Sequence, residues 1–313
     1  MKIGVLGLGG IAQKAYMPTY VAMQDRAEFC FATRNQTVQH QLQEKYQLQT
    51  MKNNLQELID EGIEACFIHT ATSTHYELVK MGLENKLHVF VDKPLSENYQ
   101  EVLALQALAK KQGKHLMVGF NRRFAPMVAK LKALPDKRVI RLQKNRVYSE
   151  KPTSIEIYDL FLHLVDTAVY LLDEPIESQD SFIRESATGM ETAFLRLETA
   201  TASAILTMDL KSGANREVFE VSSLTGTHIV EDLTAGRSYT SEGEQLAKFG
   251  DWDNTLEKRG FQQMVEQFLY AVQTGNDADL KQQDVLVSHE ICAKMLKQHE
   301  EVQSKVVNSQ GTC

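Results

Sequence analysis

Over the first 120 residues, short apolar runs alternate with stretches of helical periodicity. KIGVLG (2–7), EFCFAT (28–33), ACFIHT (65–70), HVFVD (88–92) and HLMVGF (115–120) read as strands. Residues 11–24, 36–46, 54–61 and 98–112 read as helices. Thr74 and Glu77 have capping-box spacing and open a helix through about Asn85. Strands and helices in alternation imply right-handed crossovers and a parallel sheet covered on both faces. The runs are apolar on both sides of the strand, as buried parallel strands require.

After Asn121 the pattern changes. Residues 122–134 read as a helix, 138–148 as a strand and 155–172 as a helix. TAFLRLE (192–198), SAILTMDL (203–210), EVFEVSSL (217–224) and THIVEDL (227–233) then follow closely, with turns at Gly213, Gly226 and Gly236. Partial alternation and short spacing predict an antiparallel meander. Helices at about 255–274 and 282–300 close the chain. The predicted fold class is α/β: an N-terminal doubly wound parallel sheet, then an α+β domain with an open, mostly antiparallel sheet. The expected domains are 1–120 and 121–304, with a flexible tail at 305–313.

A chain of 313 residues with 43% hydrophobic content has room for those two domains and their cores. The net charge of −7 argues against a nucleic-acid partner, which needs a basic face. No apolar run approaches the ~20 residues that span a bilayer. The chain opens MKIGVLGLGG, directly into a strand, which leaves no room for a secretory signal and predicts a cytoplasmic protein. Cys30, Cys66, Cys292 and Cys313 are scattered and form no CxxC, so they read as reduced thiols.

GVLGLGGIAQ sets Gly7, Gly9 and Ala12 in a G-x-G-x-x-A arrangement between a strand and a helix. Gly7 permits the tight turn, Gly9 lets a pyrophosphate approach the backbone, and Ala12 lets the helix pack on the strand. The helix N-terminus, with Gly10 and Ile11, offers free N–H groups to an anion. This is a dinucleotide-binding loop of the Rossmann kind. The second strand ends in Thr33-Arg34, whereas Asp25 and Glu28 precede it, at the wrong end for a ribose. A hydroxyl followed by a guanidinium suits a 2′-phosphate, so NADP is preferred over NAD.

In open parallel sheets ligands sit beyond the carboxyl ends of the strands. Lys93 follows the fourth strand, in HVFVDKPLSEN, with Pro94 restricting Asp92-Lys93. Thr70 and His75 follow the third strand, and Asn121, Arg122 and Arg123 the fifth. In IYDLFLHLVDTAVYLL, a helical projection brings Asp159, His163 and Asp166 onto one narrow face opposite a wide apolar one. That face reads either as a solvated surface or as an acid–base set. It holds no Lys or Glu, and the i, i+4 spacing lets Asp159 orient His163. One His and two Asp make a poor metal set, so no metal is expected. Trp252 is expected to pack against its surroundings.

The markers GLGGIA (7–12), DKPL (92–95), GFNRRFAP (119–126) and DLFLHLVD (159–166) resemble the Gfo/Idh/MocA (glucose–fructose oxidoreductase, inositol dehydrogenase, MocA-like) oxidoreductases, closest to the MviM-type branch. The resemblance runs from Met1 to about Ala293. It implies a Rossmann domain, then a substrate domain whose open sheet mediates homodimers or higher homo-oligomers. It implies hydride transfer between NADP or NAD and a polyhydroxy substrate, with Lys93, Asp159 and His163 catalytic. Cofactor contacts are then expected at Gly7, Gly9, Gly10, Ile11, Ala12, Thr33, Arg34, Thr70, His75, Asp92, Lys93 and Asn121, and substrate contacts at Lys93, Arg122, Arg123, Asp159 and His163. The alternative is a non-catalytic dinucleotide-binding sensor on the same fold. The sequence departs from the family in Asp92, where glutamate is usual, in a loop without the Thr-Pro pair (His69-Thr70-Ala71-Thr72), and in TSIEIY (153–158), which lacks the usual glycines.

Arg34→Asp is expected to move cofactor preference from NADP towards NAD. An unaltered NADP/NAD ratio of binding constants would show that Arg34 does not meet the 2′-phosphate.

Overall fold

The computed structural model describes residues 1–49 and 51–310. The chain forms two compact units: Met1–Asn121 with Gly260–Gln282, and Arg122–Arg259 with Gln283 onward. The segment Gly260–Gln282 thus belongs with the N-terminal unit, not with the second domain where the sequence reading put it. The reason is its apolar face. Met264, Val265, Phe268 and Leu269 line one side of the helix Phe261–Thr274, and Phe268 meets the rings of Phe67 at 5.0 Å and Phe90 at 5.8 Å. Residues 255–274 are not one helix either. Gly260, at φ 79°, separates Thr255–Lys258 from Phe261–Thr274.

The first unit carries strands β1 (Lys2–Leu6), β2 (Glu28–Ala32), β3 (Met51–Lys52), β4 (Ala65–Ile68), β5 (His88–Asp92) and β6 (Leu116–Gly119). They form one parallel sheet in the order β3-β2-β1-β4-β5-β6. Ile3, Val5, Phe67, Ile68, Val89, Phe90, Val91, Met117 and Val118 are wholly buried, as strands covered on both faces must be. The two-residue β3 has too few apolar positions to show in the sequence pattern. The chain leaves β1 towards β2 on one side and returns through β4 on the other. The switch point therefore lies at the carboxyl ends of β1 and β4, where Gly7 and His69-Thr70 stand. The edge strand β6 is closed by Gln282, whose Oε1 accepts from the Val118 amide at 2.8 Å.

The second unit holds β7 (Val139–Asn145), β8 (Ser178–Ser186), β9 (Gly189–Glu198), β10 (Ser203–Asp209), β11 (Arg216–Ser223), β12 (Gly226–Glu231), β13 (Ala235–Thr240) and β14 (Gly243–Lys248). Their order is β14-β13-β12-β11-β7-β10-β9-β8. All pairs are antiparallel except β7 with β10. The predicted meander is therefore split: β7, from before it in sequence, is inserted between β10 and β11. Strands β8, β13 and β14 escaped the sequence reading because their exposed positions hide the alternation. One sheet face packs under the helix Leu162–Leu171 and the helix Val285–Gln310.

The helix Val285–Gln310 continues through part of the predicted tail, and residues 311–313 lie outside the described residues. The capping box at Thr74 is not made. Thr74 Oγ1 donates to Thr70 Oγ1 and Ala71 O instead, and a 3₁₀ turn Thr72–Thr74 precedes the helix His75–Glu84. Trp252 does not pack, being 98% exposed. No helix among the described residues is long and apolar enough to cross a membrane.

Candidate active site

In the first unit the glycine loop divides into two parts. Gly7 has φ 89°, and a Cβ there would lie 2.8 Å from the backbone of His69 and Thr70, so the neighbouring strand end demands glycine. A Cβ on Gly9 or Gly10 would meet nothing within 4 Å, and both residues are exposed. The chain's own packing does not require their smallness; an approaching pyrophosphate does. Ala12 is wholly buried, as close packing of the helix on the strand requires, and Ile11 is 53% exposed. Gln13 Nε2 donates to Leu8 O at 2.8 Å and steadies the loop. The loop fits a dinucleotide phosphate. Arg34 is exposed between the end of β2 and Asn35, which caps the helix Gln36–Tyr46. Thr33 is fixed by its backbone, the amide bonding to Lys52 O and the carbonyl accepting from Gln39.

The segment around Lys93 is held by groups that the sequence reading overlooked. Asp92 Oδ1 accepts from Tyr16 Oη at 2.5 Å, and Oδ2 from His69 Nδ1 at 2.9 Å. Tyr20 Oη lies 2.7 Å from His69 Nε2, and the Tyr16 ring stacks on His69 at 4.0 Å. Burial pushes the Asp92 carboxyl up, but the His69 and Tyr16 donors outweigh it and hold its pKa below the usual value. Burial, with Asp92 nearby, drives both tyrosine hydroxyls well above their ordinary pKa, so they remain donors. Asp92 was expected to contact cofactor, yet both its oxygens are taken inside the protein. It anchors the residue before Lys93.

His75 also departs from expectation. It is 1% exposed, with Nδ1 2.8 Å from Pro94 O and Nε2 3.1 Å from Thr70 O, and burial lowers its pKa. Instead of meeting cofactor it ties the loop after β4 to the loop after β5. Asn121 is likewise buried, at the start of the turn Asn121–Phe124. Thr70 and Lys93 are half-buried.

In the second unit, neighbouring arginines take separate partners. Arg123 forks onto Asp166 through Nε and Nη2 at 2.9 and 2.8 Å, and Nη1 donates to Gln283 O at 2.7 Å. Ser288 Oγ also donates to Asp166. Both charged residues are 1% exposed. Arg123, expected at the substrate, is thus tied to protein partners, and Asp166 does not share an open face with Asp159 and His163. The helical projection assumed 100° per residue, whereas Ile157–Phe161 is a π turn that displaces Asp159 from that register. Asp159 is 43% exposed and pairs with Lys151 Nζ at 3.2 Å.

Arg122 forks onto Glu217 through Nε and Nη2 at 2.8 and 3.0 Å, and its Nη1 lies 3.0 Å from His163 Nδ1. Expected to bind substrate, Arg122 is instead committed to protein partners. Lys144 Nζ is 3.1 Å from the same glutamate. Both residues sit where strand alternation reserves a place for apolar side chains: Lys144 follows Ile140 and Leu142 on β7, and Glu217 precedes Phe219 and Val221 on β11. They are direct cross-strand partners. Glu217 and Lys144 were legible as charges at buried positions, but their meeting depended on a register no sequence states.

Burial would raise the Glu217 carboxyl, but Arg122 and Lys144 hold it at about 2. Burial, reinforced by Arg122, pushes Lys144 down to about 7. Glu217 therefore stabilises the fold above its ordinary value of 4.5, and that contribution is lost as the pH falls towards about 2. For Lys144 the unfolded chain holds more protons between about 7 and 10.5, so its contribution to stability rises with pH across that window. Urea unfolding at a series of pH values is expected to show this alkaline rise in the native chain and its loss in Lys144→Met. Equal slopes in the two would contradict the assignment.

Residues 1–120 match the model of an oxidoreductase family with an NAD-binding Rossmann fold, Gfo/Idh/MocA, and residues 126–240 match the YceM-like C-terminal domain. The chain is 32% identical over 279 residues to the oxidoreductase YceM of Salmonella typhimurium, covering 87% of this chain and 90% of that protein. It is 29% identical over 189 residues to the myo-inositol 2-dehydrogenase of Thermotoga maritima, covering 56% of each. Its fold superposes on the dehydrogenase MviM of Clostridium difficile with a TM-score of 0.88 at 27% identity, covering 95% of this chain and 99% of that one. With this relationship spanning both units, the chain belongs to the Gfo/Idh/MocA family of nicotinamide-dependent oxidoreductases acting on CH–OH groups, in its MviM-like branch.

Proposed function

We propose that this protein transfers a hydride between NADP and a sugar, polyol or related hydroxy or keto compound, with Lys93 and His163 as the polar and acid–base groups at the reacting oxygen. The observation that carries this reading is the glycine loop. In a chain of this family, Gly9 and Gly10 keep open a backbone cradle that the protein itself does not fill. Exposed Arg34 beyond β2 supports the 2′-phosphate and hence NADP. The relative that is a myo-inositol 2-dehydrogenase supports a polyhydroxy substrate. When bound, the nicotinamide supplies or accepts the hydride. Lys93, anchored through Asp92 and Pro94, offers a cation for the charge that develops on the substrate oxygen. Asp159, paired with Lys151, stands one turn before His163 and is assigned to substrate hydroxyls.

Purified protein is to be incubated with NADP or NAD and a panel of sugars, polyols and sugar acids while nicotinamide absorbance is followed. Turnover is expected with at least one of them, and Lys93→Ala should lower it about a hundredfold or more. Full activity in that variant would overturn the role of Lys93. Cofactor binding without turnover on any substrate would favour the sensor reading.

The second unit's sheet supports self-association. Its uncovered positions expose Phe182, Phe194, Ile205, Tyr239 and Leu246, interspersed with the pairs Arg141–Glu220 and Arg216–Glu231. Apolar patches with mixed charge suit a second copy of the same surface. Light scattering is expected to give the mass of a dimer or larger, and Phe194→Glu a smaller one. A monomeric native chain would exclude this interface.

A further inference from the structure

We propose that Arg122 and Glu217 are positioning residues that hold His163 as a neutral Nε2–H donor, so that His163 orients and polarises the substrate oxygen while Lys93 carries the proton. This rests on the proposed function, in which Lys93 and His163 meet the reacting oxygen, and it divides their work: the acid–base part falls to Lys93 and the polar part to His163. A guanidinium only donates. With Arg122 Nη1 3.0 Å from His163 Nδ1, that nitrogen accepts, and the ring proton is on Nε2. Protonating Nδ1 would set one N–H against another. Donation of the Nε2 proton would leave an anionic ring, so the imidazole in this contact gives a hydrogen bond rather than a proton.

Arg122 cannot swing away to release Nδ1 without breaking its fork on Glu217 inside the unit, where Arg122 is 7% and Glu217 5% exposed. Lys144 braces the carboxylate from β7. The charged groups around this contact include Arg122 from the turn, Glu217 on β11, Lys144 on β7, Asp159 on the preceding turn of the histidine's own helical segment, and Lys151, which pairs with Asp159 from the loop before it. The low pKa of Glu217, about 2, keeps the fork charged across the working range of pH. A neutral imidazole as electrophile is an established device for polarising a carbonyl. In the reducing direction a bound dihydronicotinamide would supply the hydride, with its two electrons, to the carbonyl carbon. The oxygen takes the Lys93 ammonium proton, and the lysine amine regains one from water.

Histidine ¹⁵N NMR of the intact chain, with His163 assigned by its absence in His163→Gln, tests the tautomer without any need for turnover. The expected spectrum has Nδ1 bare and Nε2 protonated from about pH 5 to about pH 9, the range in which an ordinary histidine titrates. Glu217→Gln should restore titration of His163. A native His163 that carries Nδ1–H, or that titrates as an imidazolium, overturns the proposal whether or not that variant folds. The kinetic arm uses the side-chain amide of His163→Gln as a replacement donor. Turnover within about tenfold of native is expected, against a loss of about 10²–10⁴-fold if His163 were the proton carrier. Absence of turnover in the native chain would defeat the proposed function, while the NMR result would still decide the tautomer.

Discussion

A charge taken out of water must be met by a partner, and that constraint decides which polar residues of this chain become scaffold. Asp92 is met by Tyr16 and His69, Asp166 by Arg123, and Glu217 by Arg122 and Lys144. Each pairing takes a residue that looks like site chemistry in the sequence and turns it into scaffold. Nearer the surface lie Gly9, Gly10, Arg34, Thr70 and Lys93 in the first unit, and Asp159 and His163, each with a protein partner, in the second.

The scaffold is not inert. The Tyr16–Asp92–His69–Tyr20 chain fixes the end of β5 from the first helical segment and from the end of β4. His75 fixes the residue after Lys93 from the following helix. A lysine on a loop ordinarily loses much side-chain and backbone entropy when it is used. Here the backbone share of that loss is met on folding, because the residues on both sides of Lys93 are already bonded. The family's usual glutamate is replaced by the shorter Asp92, whose carboxylate reaches inward to Tyr16 and His69.

Arg122 and Arg123 show how adjacent, chemically identical side chains acquire different work. Arg123 forks onto a buried aspartate and donates to the carbonyl of Gln283 in the turn before the last helix, which is a packing role. Arg122 forks onto Glu217 and still reaches an imidazole, so its geometry bears on the protonation of a group assigned to chemistry. The difference comes from the strand register that sets Glu217 opposite Lys144.

The sequence by itself determined the parallel sheet, the glycine loop, the position of Lys93 at a strand's carboxyl end and the change to a mostly antiparallel second unit. Those follow from local periodicity and from turn chemistry within a few residues. It did not show the interior partners of Asp166, Arg123, His75 and Asp92, and it passed over Tyr16, His69, Lys144 and Glu217. Whether a polar side chain faces inward depends on partners 20 to 120 residues away, as with Arg123 and Ser288 around Asp166. The π turn at Ile157–Phe161 rotated Asp159 out of an ideal helical register, and β7 entered the middle of a sheet whose other strands come later in the chain. Only the tertiary structure decided these matters, because burial and pairing are properties of what the chain brings together across distance, and local pattern carries no record of them.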